Sequence, residues 1–273
     1  MSLPTHHPVV SGMTRLIPMV GHPVQQVHMP GVINARFRDR GIDAVMVPMD
    51  ILPGALPHFA GLLRSAGNIP GAVITLPHKA AMAVLADSLT PRAHLLGASN
   101  VVRRQADGTL LADMLDGSGM VGALSAANVP IGGQQCWVIG SGAAGSAIAL
   151  ALAEAGTAQV WISDLDDQKA RAIAGRFTAA GHNVIAGEPS GLEVISLVFN
   201  ATTAGMGGIG SALPSRSLAV LPARCCVADV VTKPKDTPLL RAARERGLRT
   251  ISGDAMAEAQ ANDVARFMGF QID

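Results

Sequence analysis

The clearest chemical reading in this chain belongs to three glycines at fixed offsets. In Gly140-Ser141-Gly142-Ala143-Ala144-Gly145 they follow the apolar run Trp137-Val138-Ile139 and open an alanine-rich stretch. A strand entering Gly-x-Gly-x-x-Gly and leaving as a helix is the setting in which this turn holds the pyrophosphate of a dinucleotide. Gly140 permits the tight turn, Gly142 lets a phosphate approach the backbone, and Gly145 lets helix and strand pack closely. Ser141, Ala143 and Ala144 then belong to a helix mouth whose free amides and positive dipole end face the phosphates. An acidic residue, Asp164, stands about 20 positions on, where a carboxylate accepts from both ribose hydroxyls. The same charge repels a 2′-phosphate, so the reading is NAD, with NADP less favoured. Lys169 and Arg171 temper it, because either cation can reach a phosphate. The plainer readings are a glycine turn used only for packing and an Asp164 that only caps a helix.

The elements that must position these residues alternate in type. Strand-like runs fall at 16–20, 44–49, 72–76, 136–139, 160–163, 194–200 and 225–231. Helix-like runs fall at 30–40, 56–65, 117–127, 143–155, 169–180, 239–246 and 255–268. This alternation favours parallel strand–helix–strand construction. Pro18 removes an amide from the first strand, which suits an edge position. Ala106-Asp107-Gly108 between 100–104 and 109–112 is a hairpin signal.

Composition sets the outer bounds. At 273 residues the chain allows one large or two modest domains, and 49% apolar with 15% charged residues excludes global disorder. Lys and Arg total 21 against 20 Asp and Glu, with no basic block, which argues against nucleic-acid binding. Cys136, Cys225 and Cys226 are too few and badly spaced for a disulfide framework or zinc, so no metal is expected and a reduced, cytoplasmic protein is. The first ten residues carry no secretion pattern, and no apolar run is long enough to span a bilayer, so no membrane partner is expected.

Several short segments then converge: Thr75-Leu76-Pro77-His78-Lys79, Ala98-Ser99-Asn100, Asp113-Met114-Leu115-Asp116-Gly117, Asn200-Ala201-Thr202-Thr203-Ala204-Gly205-Met206, Thr237-Pro238-Leu239, and Gly253 with Met256 and Gln260. In this order and spacing the chain resembles the shikimate/quinate dehydrogenase family over nearly its whole length. The resemblance implies an α/β protein in which an N-terminal substrate-binding domain and a Rossmann-type NAD(P)-binding domain are separated by a cleft. The boundaries expected are 1–115, completed by a C-terminal helix at 251–273, and 116–250. It implies an NAD(P)-dependent oxidoreductase acting on a hydroxylated ring acid or an analogue, as a monomer or homodimer. Lys79 and Asp116 become its catalytic pair, which chemistry independently requires: moving hydride from a carbinol means moving the hydroxyl proton too. Thr75, Asn100 and Gln260 fall on the substrate, and Thr202, Gly205, Met206, Val230, Gly253 and Met256 on the nicotinamide side. His78 sits where the family tolerates apolar residues and is read as packing, and Cys225-Cys226 as a buried strand.

The departures from the family lie on the substrate side. Val27-His28-Met29-Pro30 stands where the family carries a Ser-x-Ser-Pro step that grips a carboxylate, Val73 replaces an asparagine, and Thr232 replaces a tyrosine. Two lost hydrogen bonds to a charged group amount to about 3–6 kcal/mol, or about two to four decades in affinity. Three alternatives stay open: a biosynthetic shikimate dehydrogenase whose carboxylate site is rebuilt from His28, Gln25 or Gln26, a catalytically quiet NAD(H)-sensing regulatory paralogue, and, more remotely, a Rossmann methyltransferase.

Overall fold

The computed structural model describes residues 10–208, 210–213 and 215–272. The reading of the first ten residues as lacking a secretion pattern therefore falls, but for Val10, outside the described residues.

The N-terminal half builds a mixed sheet. Its strands are β1 (Arg15–Gly21), β2 (Ala44–Asp50), β3 (Gly71–Ile74), β4 (Ser88–Leu89), β5 (Val101–Arg104) and β6 (Leu110–Asp113). They lie in the order β2-β1-β3-β5-β6-β4. The helices of this half are α1 (Met29–Asp39), α2 (Leu56–Ser65), α3 (Lys79–Leu85) and α4 (Pro91–Leu96). The expected hairpin forms: β5 and β6 pair antiparallel around Ala106-Asp107-Gly108.

Pro18 corrects one expectation. β1 is not an edge strand; it lies between β2 and β3, and pairs with β2 along all seven residues. The missing amide is tolerated because Leu16 and Val20, which share Pro18's side of the strand, bond toward Asn68 and Thr75, while the β1–β3 ladder begins only at Met19.

The second sheet is parallel throughout: β7 (Gln135–Ile139), β8 (Gln159–Ser163), β9 (Val184–Ala186), β10 (Leu197–Asn200), β11 (Cys226–Asp229) and β12 (Arg249–Ile251), in the order β12-β11-β10-β7-β8-β9. Helices α5 (Asp116–Ala126), α6 (Ala143–Glu154), α7 (Asp167–Ala179), α8 (Ser215–Val220) and α9 (Pro238–Glu245) accompany it. The chain enters at β7, winds out through β9 and returns beside β7 as β10. That reversal opens a crevice at the carboxyl ends of the strands, the place where doubly wound sheets take ligands. Parallel strands covered on both faces read as continuous apolar runs, as residues 136–139 and 197–199 do.

The last helix, α10 (Gly253–Phe267), crosses back to the first sheet. Its buried residues Gly253, Met256, Ala257, Gln260, Ala261, Val264 and Ala265 recur at helical spacing. Ala261 and Val264 join a core with Ile17, Ile33 and Phe37, and beyond the helix the Phe270 ring sits 4.9 Å from that of Phe37. On its other side α10 meets α5 so closely that a Cβ at Gly119 would lie 2.9 Å from the Cβ of Gln260.

β4, α4 and β12 have two, six and three residues and carry too little periodicity to be legible. One of them is held by a charge. Asp113, at the end of β6, accepts from the Thr90 hydroxyl, from Arg92 Nε at 2.7 Å and from Met114 N at 2.7 Å. Burial pushes its carboxyl up, but the Arg92 and Thr90 hydrogen bonds outweigh burial and hold it below its ordinary 3.8. A depressed folded value means that this stability is present above the ordinary value and is lost as pH falls through the folded one. Arg92→Ala is therefore expected to cost about 1–3 kcal/mol in urea unfolding at pH 7. The difference from wild type should shrink in acid below about pH 4.

Candidate active site

Asp116 is where the two sheets meet chemically. It is the first residue of α5, its side chain is 6% exposed, and the side chain of Lys79, which opens α3, is 12% exposed. The Lys79 ammonium donates to Asp116 Oδ2. The other oxygen, Oδ1, accepts from Asn100 Nδ2 at 2.6 Å and from Gln260 Nε2 at 3.2 Å. Asn100 is fixed in turn, with Leu115 N donating to its Oδ1 at 2.7 Å. Its backbone joins β3 to β6, because Ile74 N bonds its carbonyl and its own amide bonds Asp113 O. Four elements thus converge on one carboxylate, which suits a buried charge that must be both paired and hydrogen-bonded.

Lys79 and Asp116 line a cleft of about 1010 Å³ together with the glycine loop. Small-molecule pockets run from about 300 to 1,000 Å³, so this cleft stands at the large end of that range. The loop is built as its residue types require. A Cβ at Gly145 would lie 1.9 Å from Gly140 O, and Gly140 holds φ at 102°. At Gly142 a Cβ would meet nothing within 4 Å, and α6 starts there without a side-chain cap. This open cradle of helix-mouth amides fits a pyrophosphate.

At the far end Asp164 accepts from Ser141 N at 2.7 Å and Ser141 Oγ at 2.8 Å through Oδ2, and from Asp166 N at 3.1 Å through Oδ1. Burial raises its carboxyl, but those amides and that hydroxyl hold it below the ordinary range. The charge is kept, and Oδ1 retains an acceptor position for a hydroxyl. On the opposite wall Asn200 Oδ1 accepts from Thr202 N at 3.0 Å and Thr202 Oγ1 at 2.7 Å, while Asn200 Nδ2 donates to Asp229 at 2.9 Å. Asp229 also accepts from Thr237 at 2.7 Å, and burial pushes its carboxyl up.

The structure brings Val27, Met29, Thr75, Thr232 and Gln260 to the cleft, with Gly140, Gly142, Ala143, Ala144, Asp164, Thr202, Met206, Val230, Gly253 and Met256. Asn100, Ser141, Gly145, Lys169 and Gly205 do not line it. The side chain of Asn100 bonds Asp116 and Leu115 N, and by its amide chemistry keeps a second N–H and a second lone pair for another partner. Ser141 serves Asp164, Gly145 serves the close contact with Gly140, and Gly205 makes a turn at φ 91°. Lys169 points to Asp166 at 3.7 Å. His78 is buried with Nε2 donating to Ile51 O at 2.7 Å, which is a packing role. Burial pushes the Cys225 thiol up to about 12 and the Cys226 thiol to about 11, so neither is a reactive thiolate.

Sequence reasoning missed Leu165 at the adenosine end and Asp254 behind His28. Leu165 carried no signal beyond an apolar residue in an acidic stretch, and Asp254 fell just before the helix-like run read at 255–268, whereas the structure puts it in the first turn of α10. Gly142→Val is expected to leave thermal unfolding within a few degrees of wild type. It should weaken NADH binding at least about tenfold by fluorescence titration, because the added side chain fills only the cradle.

Residues 19–102 match the family model described as shikimate dehydrogenase substrate binding domain. A protein of Rubrobacter xylanophilus named shikimate dehydrogenase (NADP(+)) is 35% identical over 264 residues, covering 95% of this chain and 92% of its own. Among solved structures, the ligand-free 5-ketofructose reductase of Gluconobacter sp. strain CHM43 superposes with a TM-score of 0.84 at 27% identity, over 95% of both chains. Quinate dehydrogenase from Corynebacterium glutamicum, in complex with NAD, gives 0.82 at 28% identity, again over 95% of both. With that identity sustained along nearly the whole length, the chain belongs to the shikimate/quinate dehydrogenase family of NAD(P)-dependent oxidoreductases.

Proposed function

We propose that the cleft carries reversible hydride transfer between a ring carbinol and a nicotinamide, with Lys79 and Asp116 handling the carbinol proton. The observation that carries this reading is the buried ammonium–carboxylate pair lining the same cleft as the glycine loop. In the oxidising direction the carbinol C–H bond breaks with its electron pair, the O–H proton leaves, and a C=O bond forms. A bound nicotinamide supplies the hydride acceptor. In that direction the Lys79 amine takes the carbinol proton as the hydride leaves, and in the reducing direction its ammonium returns the proton to the developing alkoxide. Asp116 holds the ammonium in place, and Asn100 and Gln260 are positioning residues that keep the carboxylate aimed.

The division of labour follows the packing. Residues 1–115 with 251–273 form the substrate-binding domain and 116–250 the dinucleotide domain, which the joint core of Ile17, Phe37, Ala261 and Val264 supports. For the dinucleotide we favour NAD. Asp164 is charged, and its end of the cleft is lined by Leu165, Asp167, Gly187 and Glu188, with no cation among them. Lys169 and Arg171 pair locally, with Asp166 at 3.7 Å and with Asp167 at 3.1 Å. A 2′-phosphate would meet several acids there. In this respect the chain departs from the relative named for NADP(+). For the substrate we favour a hydroxylated ring less dependent on a carboxylate than shikimate, because Val27 and Met29 present apolar surface where the clamp belongs. A solved relative of this fold is named for 5-ketofructose, a sugar without a carboxylate.

Steady-state assays test both parts. Lys79→Ala is expected to lower kcat about 10²- to 10⁴-fold while leaving the dissociation constant for NADH within twofold or so. An unchanged kcat would remove the lysine from the chemistry. The kcat/KM with NAD should exceed that with NADP by at least about tenfold, and Asp164→Ser should narrow the gap. A shikimate kcat/KM of about 10⁴ M⁻¹s⁻¹ or more would instead place this protein with the ordinary shikimate enzymes.

A further inference from the structure

His28 is the N-terminal flanking residue of α1, yet its side chain makes no capping bond, and its ring lines the cleft between Val27 and Met29. Behind it lies Asp254, whose side chain is 13% exposed. Asp254 Oδ2 is 3.5 Å from Lys235 Nζ. The other oxygen, Oδ1, is buried without a hydrogen-bond partner and lies 3.9 Å from His28 Nδ1. That gap is too long for a hydrogen bond, and a buried carboxylate oxygen lacking a donor is costly. A small rotation of the imidazole toward Asp254 satisfies it. The loop bearing His28 is tied to the opposite wall, where Thr232 Oγ1 donates to Gln26 O at 3.0 Å. The residues standing in place of the family's serine step and its tyrosine thus belong to one contiguous surface.

We propose that His28, oriented by Asp254, is a specificity-determining residue that selects a hydroxyl over a carboxylate at the substrate end of the cleft; this rests on the hydride-transfer reading of the same site. A carboxylate oxygen only accepts, so the nitrogen that Asp254 orients must carry the hydrogen. The form proposed is the neutral imidazole with Nδ1 protonated, in which Nε2 is left as an acceptor, whereas an imidazolium would donate from Nε2 and favour a carboxylate. An acceptor pairs with a hydroxyl donor and has nothing to offer a carboxylate. The nearby ammonium of Lys235 does not restore a carboxylate site, because it faces Asp254. The substrate class is therefore a polyhydroxylated ring or keto-polyol with a hydroxyl where shikimate carries its carboxylate.

The test compares two probes in the protein saturated with NADH: shikimate, and the analogue bearing a hydroxymethyl group in place of the carboxylate. Both probes and cofactor are then at the reduced level, so no hydride passes and dissociation constants report recognition alone. Wild type is expected to bind the hydroxymethyl compound at least about tenfold more tightly. Asp254→Asn offers an amide donor to Nδ1 and moves the hydrogen to Nε2, which should shift the ratio toward shikimate by fivefold or so. His28→Ala should weaken the hydroxymethyl compound without changing NADH affinity, and His28→Asn, which keeps an acceptor, should restore part of it. Equal or tighter binding of shikimate by wild type, a ratio that neither variant moves, or no binding of either probe would overturn the proposal. Selective binding without turnover of any carbinol would leave it standing and count against the hydride-transfer reading, whereas turnover with an unmoved ratio would do the reverse.

Discussion

A carboxylate placed between two sheets constrains this molecule more than any other group. Asp116 is nearly enclosed, and removing such a group from water is tolerated only where opposite charge and donors surround it. Lys79 and Asn100 approach from the first sheet, Gln260 from the returning helix, and Asp116 itself from the helix that leads into the second sheet. The backbone is fitted to that point on both sides. A Cβ at Gly117 would lie 2.2 Å from Ala147 O on α6, and one at Gly119 would strike Gln260 on α10. Helix packing therefore sets the position of the charge, and the charge explains why these helix faces carry glycine.

The two ends of the cleft have opposite electrostatic characters. The Asp164 end is acidic, with Lys169 and Arg171 in local ion pairs, and in the proposed reading it takes the ribose hydroxyls of the dinucleotide. The substrate end is apolar around Val27 and Met29, with an imidazole and a buried carboxylate behind it. In the proposed reading the Lys79–Asp116 pair handles the proton apart from both ends, so a change of substrate at one end leaves the dinucleotide machinery untouched. Family membership and altered recognition are compatible for that reason.

Much of this was legible in the sequence because it depends on local pattern. The glycine loop declares itself through an apolar strand, three offsets and an acidic strand end. The doubly wound sheet declares itself through apolar runs buried on both faces. What stayed hidden depends on partners distant in the chain. Asn100 reads as a polar residue available to a ligand, and only the fold reveals that it also braces Asp116 and Leu115. Pro18 reads as an edge residue, and only the register reveals an interior strand whose second ladder starts one residue later. Asp254 carries no reading in the sequence, and only the fold brings it within 3.9 Å of His28, which is far away along the chain. Strands of two or three residues have no period to detect.

The most direct test is a crystal structure of the ternary complex with NADH and a carbinol that the enzyme turns over. The carbinol oxygen should lie about 2.6–3.2 Å from Lys79 Nζ, with Asp116 still bonded to that ammonium. The carbinol carbon should stand about 3–3.5 Å from the nicotinamide carbon that carries the hydride. An oxygen held by other groups, with Lys79 and Asp116 apart or turned from the ligand, would contradict the account.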